Sequence, residues 1–71
     1  VLLFSTANGL PLAILNDGHI QHMRVAAGAA VAAKHLARED SERLCILGSG
    51  GMAHSHAESL CAVRPIKYID V

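Results

Sequence analysis

Aromatic side chains are nearly missing from these 71 residues: Phe4 and Tyr68 are the only two, and there is no tryptophan. Alanine instead supplies much of the 52% apolar content. Alanine buries little area per residue, so a core built from it alone is thin, and a chain this short already hides too little surface. Cysteine is scarce as well. Cys45 and Cys61 are the only two, too few for a disulfide-stapled secreted domain, and both stand among apolar neighbours. They read as small buried hydrophobes in a reduced, cytoplasmic chain. Net charge is absent: Lys plus Arg is 6 and Asp plus Glu is 6. That balance argues against a basic nucleic-acid binder and against a polybasic membrane-surface module. No long apolar run occurs. The longest unbroken stretch of apolar residues and glycine is Val25 to Ala33, against the ~20 residues a membrane span needs. No basic segment precedes an apolar one, so no signal peptide is read.

What is present has the order of an α/β chain. Val1 to Phe4 reads as a strand, and Leu10 to Leu15 as a second one. Between them Asn8-Gly9 is a turn signal, because both residues tolerate positive φ. The pair is expected to form a β-hairpin at the edge of a larger sheet. Asn16-Asp17-Gly18 ends it, and Asp17 or Gly18 is expected to cap a helix starting near His19 or Ile20. That helix runs to Ala37, without proline and rich in alanine. Ala26, Ala30, Ala33 and Ala37 fall on one face, beside a stripe of Val25, Ala29, Ala32 and Leu36. Small residues let another backbone approach closely, so the helix is expected to be buried on much of its circumference. Arg38 to Arg43 is a charged, solvated connector. Leu44 to Leu47 is apolar without alternation, which suits a strand buried on both faces of a parallel sheet. Gly48 to Gly51 is a turn, Met52 to Val63 a helix ended by Arg64-Pro65, and Ile66 to Val71 another strand. The chain thus opens and closes within strands and reads as a piece of a longer protein.

The turn Gly48-Ser49-Gly50-Gly51-Met52-Ala53 fits G-x-G-x-x-A. The pattern is weak alone, but here it follows a strand, opens a helix and lies in a βαβ unit of the usual length. Each small residue has a task. Gly48 permits the tight turn, Gly50 lets backbone approach a pyrophosphate, and Ala53 lets helix pack on strand. The helix start supplies free N–H donors and positive potential. The alternative is a glycine turn with no ligand. No G-K-[ST] follows, which excludes a nucleoside-triphosphate P-loop. Asp70 falls near the spacing of a ribose-binding acid, but it sits within the final strand and is not assigned that role.

Arg24 stands near the start of an otherwise small and apolar helix, where a cation is mildly unfavourable. Ala27 and Gly28, one turn on, leave space over it. It is either an exposed or externally paired arginine, or a site where a carboxylate is held bidentately with help from the helix end. The pairs His19/His22 and His54/His56 lack a third ligand at zinc spacing and read as surface or capping residues. Ser55 and Ser59 lack a nucleophile elbow.

Five stretches carry a resemblance: G-L-P-L-A-I-L-N-D (Gly9 to Asp17), M-R-V-A-A (Met23 to Ala27), A-A-K-H-L-A-R (Ala32 to Arg38), L-C-I-L-G-S-G-G-M-A (Leu44 to Ala53) and V-R-P-I (Val63 to Ile66). Together, in this order and spacing, they resemble the ornithine cyclodeaminase/mu-crystallin family over nearly the whole chain. The resemblance implies an α/β fragment. Residues 1–40 would belong to a substrate/dimerisation domain, with hairpin and alanine-rich helix. Residues 41–71 would be the first βαβ unit of an NAD(P)-binding Rossmann domain. It also implies NAD or NADP as cofactor, an amino acid or cyclic imine as substrate, hydride transfer as chemistry and a homodimeric parent. Activities in the family include ornithine cyclodeaminase, alanine dehydrogenase and ketimine reductase. The family's carboxylate-gripping arginine falls on Arg24. Its pyrophosphate loop falls on Gly48, Ser49, Gly50, Gly51 and Met52. Three positions depart from the pattern: Val25 replaces a threonine, and Gly51-Met52 replaces Val-Gln, leaving backbone N–H groups to serve. The catalytic aspartate and substrate lysine of the family would lie outside these residues, so the isolated chain is expected to be inactive. The alternatives are a non-catalytic, crystallin-like NAD(P)-binding protein and an unrelated Rossmann dehydrogenase.

Overall fold

A computed structural model describes residues 1–71. Six elements follow in chain order: β1 (Leu2–Phe4), β2 (Pro11–Ile14), α1 (Asp17–Leu36), β3 (Arg43–Cys45), α2 (Gly51–Val63) and β4 (Tyr68–Asp70). β1 and β2 form an antiparallel hairpin, pairing Leu2 with Ile14 and Leu3 with Ala13, with an irregularity before Phe4. The loop is wider than a two-residue turn. Gly9 N–H donates to the Ser5 carbonyl at 2.9 Å, Asn8 Oδ1 accepts from Leu10 N–H at 3.1 Å, and Gly9 has φ +70°. Pro11 opens β2, where a missing donor costs no ladder bond.

α1 starts earlier than the sequence suggests. Asn16, extended at φ −65° and ψ 123°, is the N-cap, and its Oδ1 accepts from Gly18 N–H at 3.0 Å. Asn16 stands one residue ahead of Asp17 with an equally long side chain, and from there its Oδ1 satisfies the donor two residues on. Asp17 therefore sits in the first turn, and Lys34 and His35 in the last, each on the favourable side of the helix dipole. The small-residue stripe is covered along one line only. Ala26 and Ala30 are buried, while His22, Val25, Ala29 and Ala33 are half-buried; Ala32, Leu36 and Ala37 are exposed. The reason is that a single helix, α2, packs on α1.

β3 and β4 pair in parallel, Arg43 with Tyr68, Leu44 with Ile69 and Cys45 with Asp70. The β3–α2–β4 order is the expected βαβ unit. Its first strand lies one residue earlier and ends sooner than the apolar run, because a strand is defined where its neighbour can reach it. Glu42 carbonyl accepts from Lys67 and Tyr68 N–H at the near end, and Ile46 N–H donates to Asp70 at the far end. The expectation of burial on both faces is corrected. Leu44 and Ile46 are half-buried, whereas Cys45 is exposed and Leu47 is 97% exposed. Two strands without a second covering layer leave one face to solvent. Cys61, expected to pack inside, is exposed on α2 for the same reason.

The two helices run in the same direction. The start of α2 meets α1 at His22, and the residue after α2, Arg64, meets the end of α1 at Ala33 to Ala37. His22 to Ala37 spans about 22 Å of helix and Gly51 to Arg64 about 20 Å, so both ends of the pair meet in register. Arg64 is the clamp at the far end. Its Nη2 donates to the carbonyls of Ala33, Lys34 and Ala37 at 2.9, 2.8 and 2.8 Å, and its Nε to that of Arg38 at 2.9 Å. The Lys34 carbonyl is one that a helix end leaves without an intrahelical partner, while that of Ala33 also accepts from the Ala37 N–H at 2.9 Å. No helix is long and apolar enough to cross a membrane.

Candidate functional site

The candidate site begins where β3 hands the chain to α2. Gly48 adopts φ +107°, a conformation side chains resist. Gly50 is the N-cap of α2, extended at φ −72° and ψ −176°, with no side chain bonding to the helix start. Ala53 N–H bonds to the Gly50 carbonyl at 3.0 Å, closing the first turn. That turn contains no acidic residue. Its positive end is therefore uncompensated by protein, the condition under which a helix start attracts an anion. A Cβ placed on Gly48 or Gly50 would meet no protein atom within 4 Å. Protein packing thus does not demand glycine at position 50, and the space over it is open to a ligand.

Gly51 differs from its neighbours. It is the first residue of α2, not the last of the turn. A Cβ on it would stand 3.0 Å from His22 Cε1. Here a side chain would require the His22 imidazole of α1 to give by a few tenths of an ångström. Met52 is half-buried in the first turn. Its carbonyl accepts a bond of 2.8 Å from His56 Nδ1, which puts the neutral imidazole's proton on Nδ1. Ile46, Leu47, Gly48, Gly50, Met52, Ala53 and His56 line a pocket of about 270 Å³ beside the turn. Neither His22 nor His56 behaves as the surface residue expected of it, since both are half-buried. The signal for His56 was available: it follows Met52 by four residues, one turn of helix.

Arg24 is exposed and makes no ion pair within the chain. With α1 beginning at Asp17 it stands in the second turn, so the expected contribution of the helix end does not hold: that field fades within the first turn. It follows His22 by two positions, about 200° around the helix. Arg24 thus shares an end of the helix pair with the glycine turn but lies on the other face of α1. Ala27 and Gly28, next on that face, are exposed, and a Cβ on Gly28 would meet nothing within 4 Å. These residues alone do not close one site around Arg24 and the turn. Asp70 is the last residue of β4, at its C-terminal end and not within the strand as expected, with its exposed carboxylate 3.3 Å from Arg43 Nε.

Comparison with known proteins gives the relationship. The model of the ornithine cyclodeaminase/mu-crystallin family matches residues 1–71. The chain is 41% identical over 69 residues to a Delta(1)-pyrroline-2-carboxylate reductase of Bacillus cereus, covering 97% of the chain and 21% of that protein. It is 43% identical over 68 residues to a putative dehydrogenase of Rhizobium meliloti, covering 94% and 21%. It is 47% identical over 58 residues to the ketimine reductase mu-crystallin of Rattus norvegicus, covering 82% and 18%. The chain therefore spans about a fifth of the length of the curated relatives it matches. The chain belongs to the ornithine cyclodeaminase/mu-crystallin family.

Proposed function

We propose that this chain is the junction segment of an NAD(P)-dependent reductase acting on a cyclic imine that bears a carboxylate. Residues 1–40 contribute to the substrate and dimerisation domain, and residues 41–71 open a Rossmann-type nucleotide domain. The observation that carries the reading is the turn at Gly48–Met52: a strand of a parallel pair, a positive-φ glycine, an uncapped helix start and open space over Gly50. Those features fit the pyrophosphate of a dinucleotide. The names of the relatives, a pyrroline-2-carboxylate reductase and a ketimine reductase, support the substrate class.

In this reading the bound nicotinamide supplies a hydride to the imine carbon, and a proton completes the amine. The chain's own residues bind and orient. Backbone N–H groups of Gly51 and Met52 hold the pyrophosphate, and Gly48 and Gly50 admit it. Arg24 grips the substrate carboxylate on the open face of α1, once the rest of the protein covers that face. The parent acts as a cytoplasmic homodimer, and its substrates are small molecules, with neither nucleic acid nor membrane as partner. The test is titration of the full-length protein with NADH and NADPH separately, followed by nucleotide fluorescence, beside a Gly50→Asp variant. Binding by the wild type that is lost in the variant is the expected result, because the added carboxylate occupies the phosphate position. A folded wild type that binds neither nucleotide removes the oxidoreductase reading.

A further inference from the structure

We infer that His22 and Gly51 are a size-matched pair that sets where the phosphate-binding turn stands against the helix bearing Arg24. The inference deepens the nucleotide reading above and rests on it. His22 is the half-buried polar side chain on a line of α1 otherwise made of Val25, Ala26, Ala29, Ala30 and Ala33. The alanines let α2 approach closely. At the start of α2 the same approach brings the backbone under an imidazole. A Cβ on Gly51 would lie 3.0 Å from Cε1, 3.7 Å from Nε2 and 3.9 Å from Nδ1 of His22. The Cε1 edge of the ring therefore points at the place where a side chain would begin.

The opposite end of the pair is held by the Arg64 clamp on the last carbonyls of α1. With that end fixed, a push at Gly51 moves chiefly the first turn of α2. That turn presents the N–H groups of Gly51 and Met52, which the nucleotide reading assigns to phosphate. Such bonds work over a narrow range of length, about 2.7–3.2 Å. A displacement of a few tenths of an ångström is therefore felt as lost affinity. His22 is a positioning residue here, acting through Gly51. A valine side chain at position 51 would claim the space the imidazole holds.

A double-mutant cycle on the full-length protein tests this, read as NADH and NADPH dissociation constants at a temperature where circular dichroism shows every variant folded. Gly51→Val alone is expected to weaken binding by about tenfold, and His22→Ala alone by only a few-fold. The double variant is expected to return to within about threefold of wild type. Rescue of affinity by a second truncation is not what two independent structural defects produce. If Gly51→Val binds like wild type, or the double variant is as weak as Gly51→Val or weaker, the pairing is overturned and the nucleotide reading stands. If the wild type binds neither nucleotide, the nucleotide reading fails and the pairing fails with it. Should the valine variant not fold, Gly51→Ala adds the Cβ alone and is compared in the same cycle.

Discussion

Single residues divide into those whose chemistry is local and those whose role depends on what lies opposite. Gly48 is of the first kind. Its place between an apolar strand and a helix already asks for a left-handed backbone, and φ +107° supplies it. Gly51 is of the second kind. Nothing in its neighbours distinguishes it from Gly50, and only His22, brought up by the packing of two helices, does so. Cys45 and Cys61 were misread because apolar neighbours in sequence are not the same as a covering layer in space. Arg24 was marked by its small neighbours, and the structure keeps it exposed on a face with room at Gly28. Its proposed role predicts a specific defect. Arg24→Ala in the full-length protein should raise KM for the imine substrate by about 30-fold, corresponding to the ~2 kcal/mol of a buried charge-assisted pair. The nucleotide dissociation constant should stay unchanged. Steady-state kinetics beside a nucleotide titration separates the two, and an unchanged KM counts against the assignment.

At the scale of elements, apolar runs, turn signals and small residues at helical spacing located both hairpin strands, both helices and the βαβ order. Boundaries moved where a side chain or a neighbour decided them. Asn16 took the cap from Asp17 because its Oδ1 reaches Gly18 N–H. β3 was trimmed to the residues that β4 can reach. The element contact least visible in sequence is Arg64. Beside Pro65 it reads as a helix stop, yet its guanidinium ties α2 to the end of α1 across some thirty residues of chain. Hydrogen bonds to a charged donor contribute about 1.5–3 kcal/mol. Arg64→Ala should therefore lower the stability of the full-length protein by about 2 kcal/mol in denaturant unfolding. Arg64→Lys should recover less than half of that, because an ammonium cannot fork across several carbonyls. Full recovery with lysine would show that charge alone, and not the fork, holds the helix ends together. The surface pairs carry much less. Lys67 lies 2.7 Å from Glu42, and Arg43 lies 3.3 Å from Asp70 and stacks 5.4 Å over Tyr68. All are solvent-exposed and are worth at most about 1 kcal/mol each.

The whole molecule is a slab, 48 × 25 × 14 Å, with a radius of gyration of 15.9 Å. A compact domain of this length would have about 11 Å. Two residues of 71 are buried, so burial falls far short of what offsets the conformational entropy of ordering the chain. Both faces of the hairpin are open, with Leu2, Leu3, Leu12 and Ile14 exposed. The isolated 71 residues should therefore lack a cooperative thermal transition by circular dichroism and show unprotected amides in hydrogen exchange. A sharp transition at low concentration would mean that the slab closes on itself or on a copy. Composition and local patterning alone determined the α/β order, the two helices and the glycine turn between strand and helix, while five motif stretches carried the resemblance to the family. These are properties of near neighbours: propensity, capping residues and the spacing of small and apolar side chains act over a few positions. Tertiary structure decided which glycine meets a side chain of the other helix, which arginine clamps two helices, and that Arg24 and the turn lie on different faces of α1 at the same end. Those facts depend on residues far apart in the chain meeting across an interface, and local spacing does not specify such a meeting.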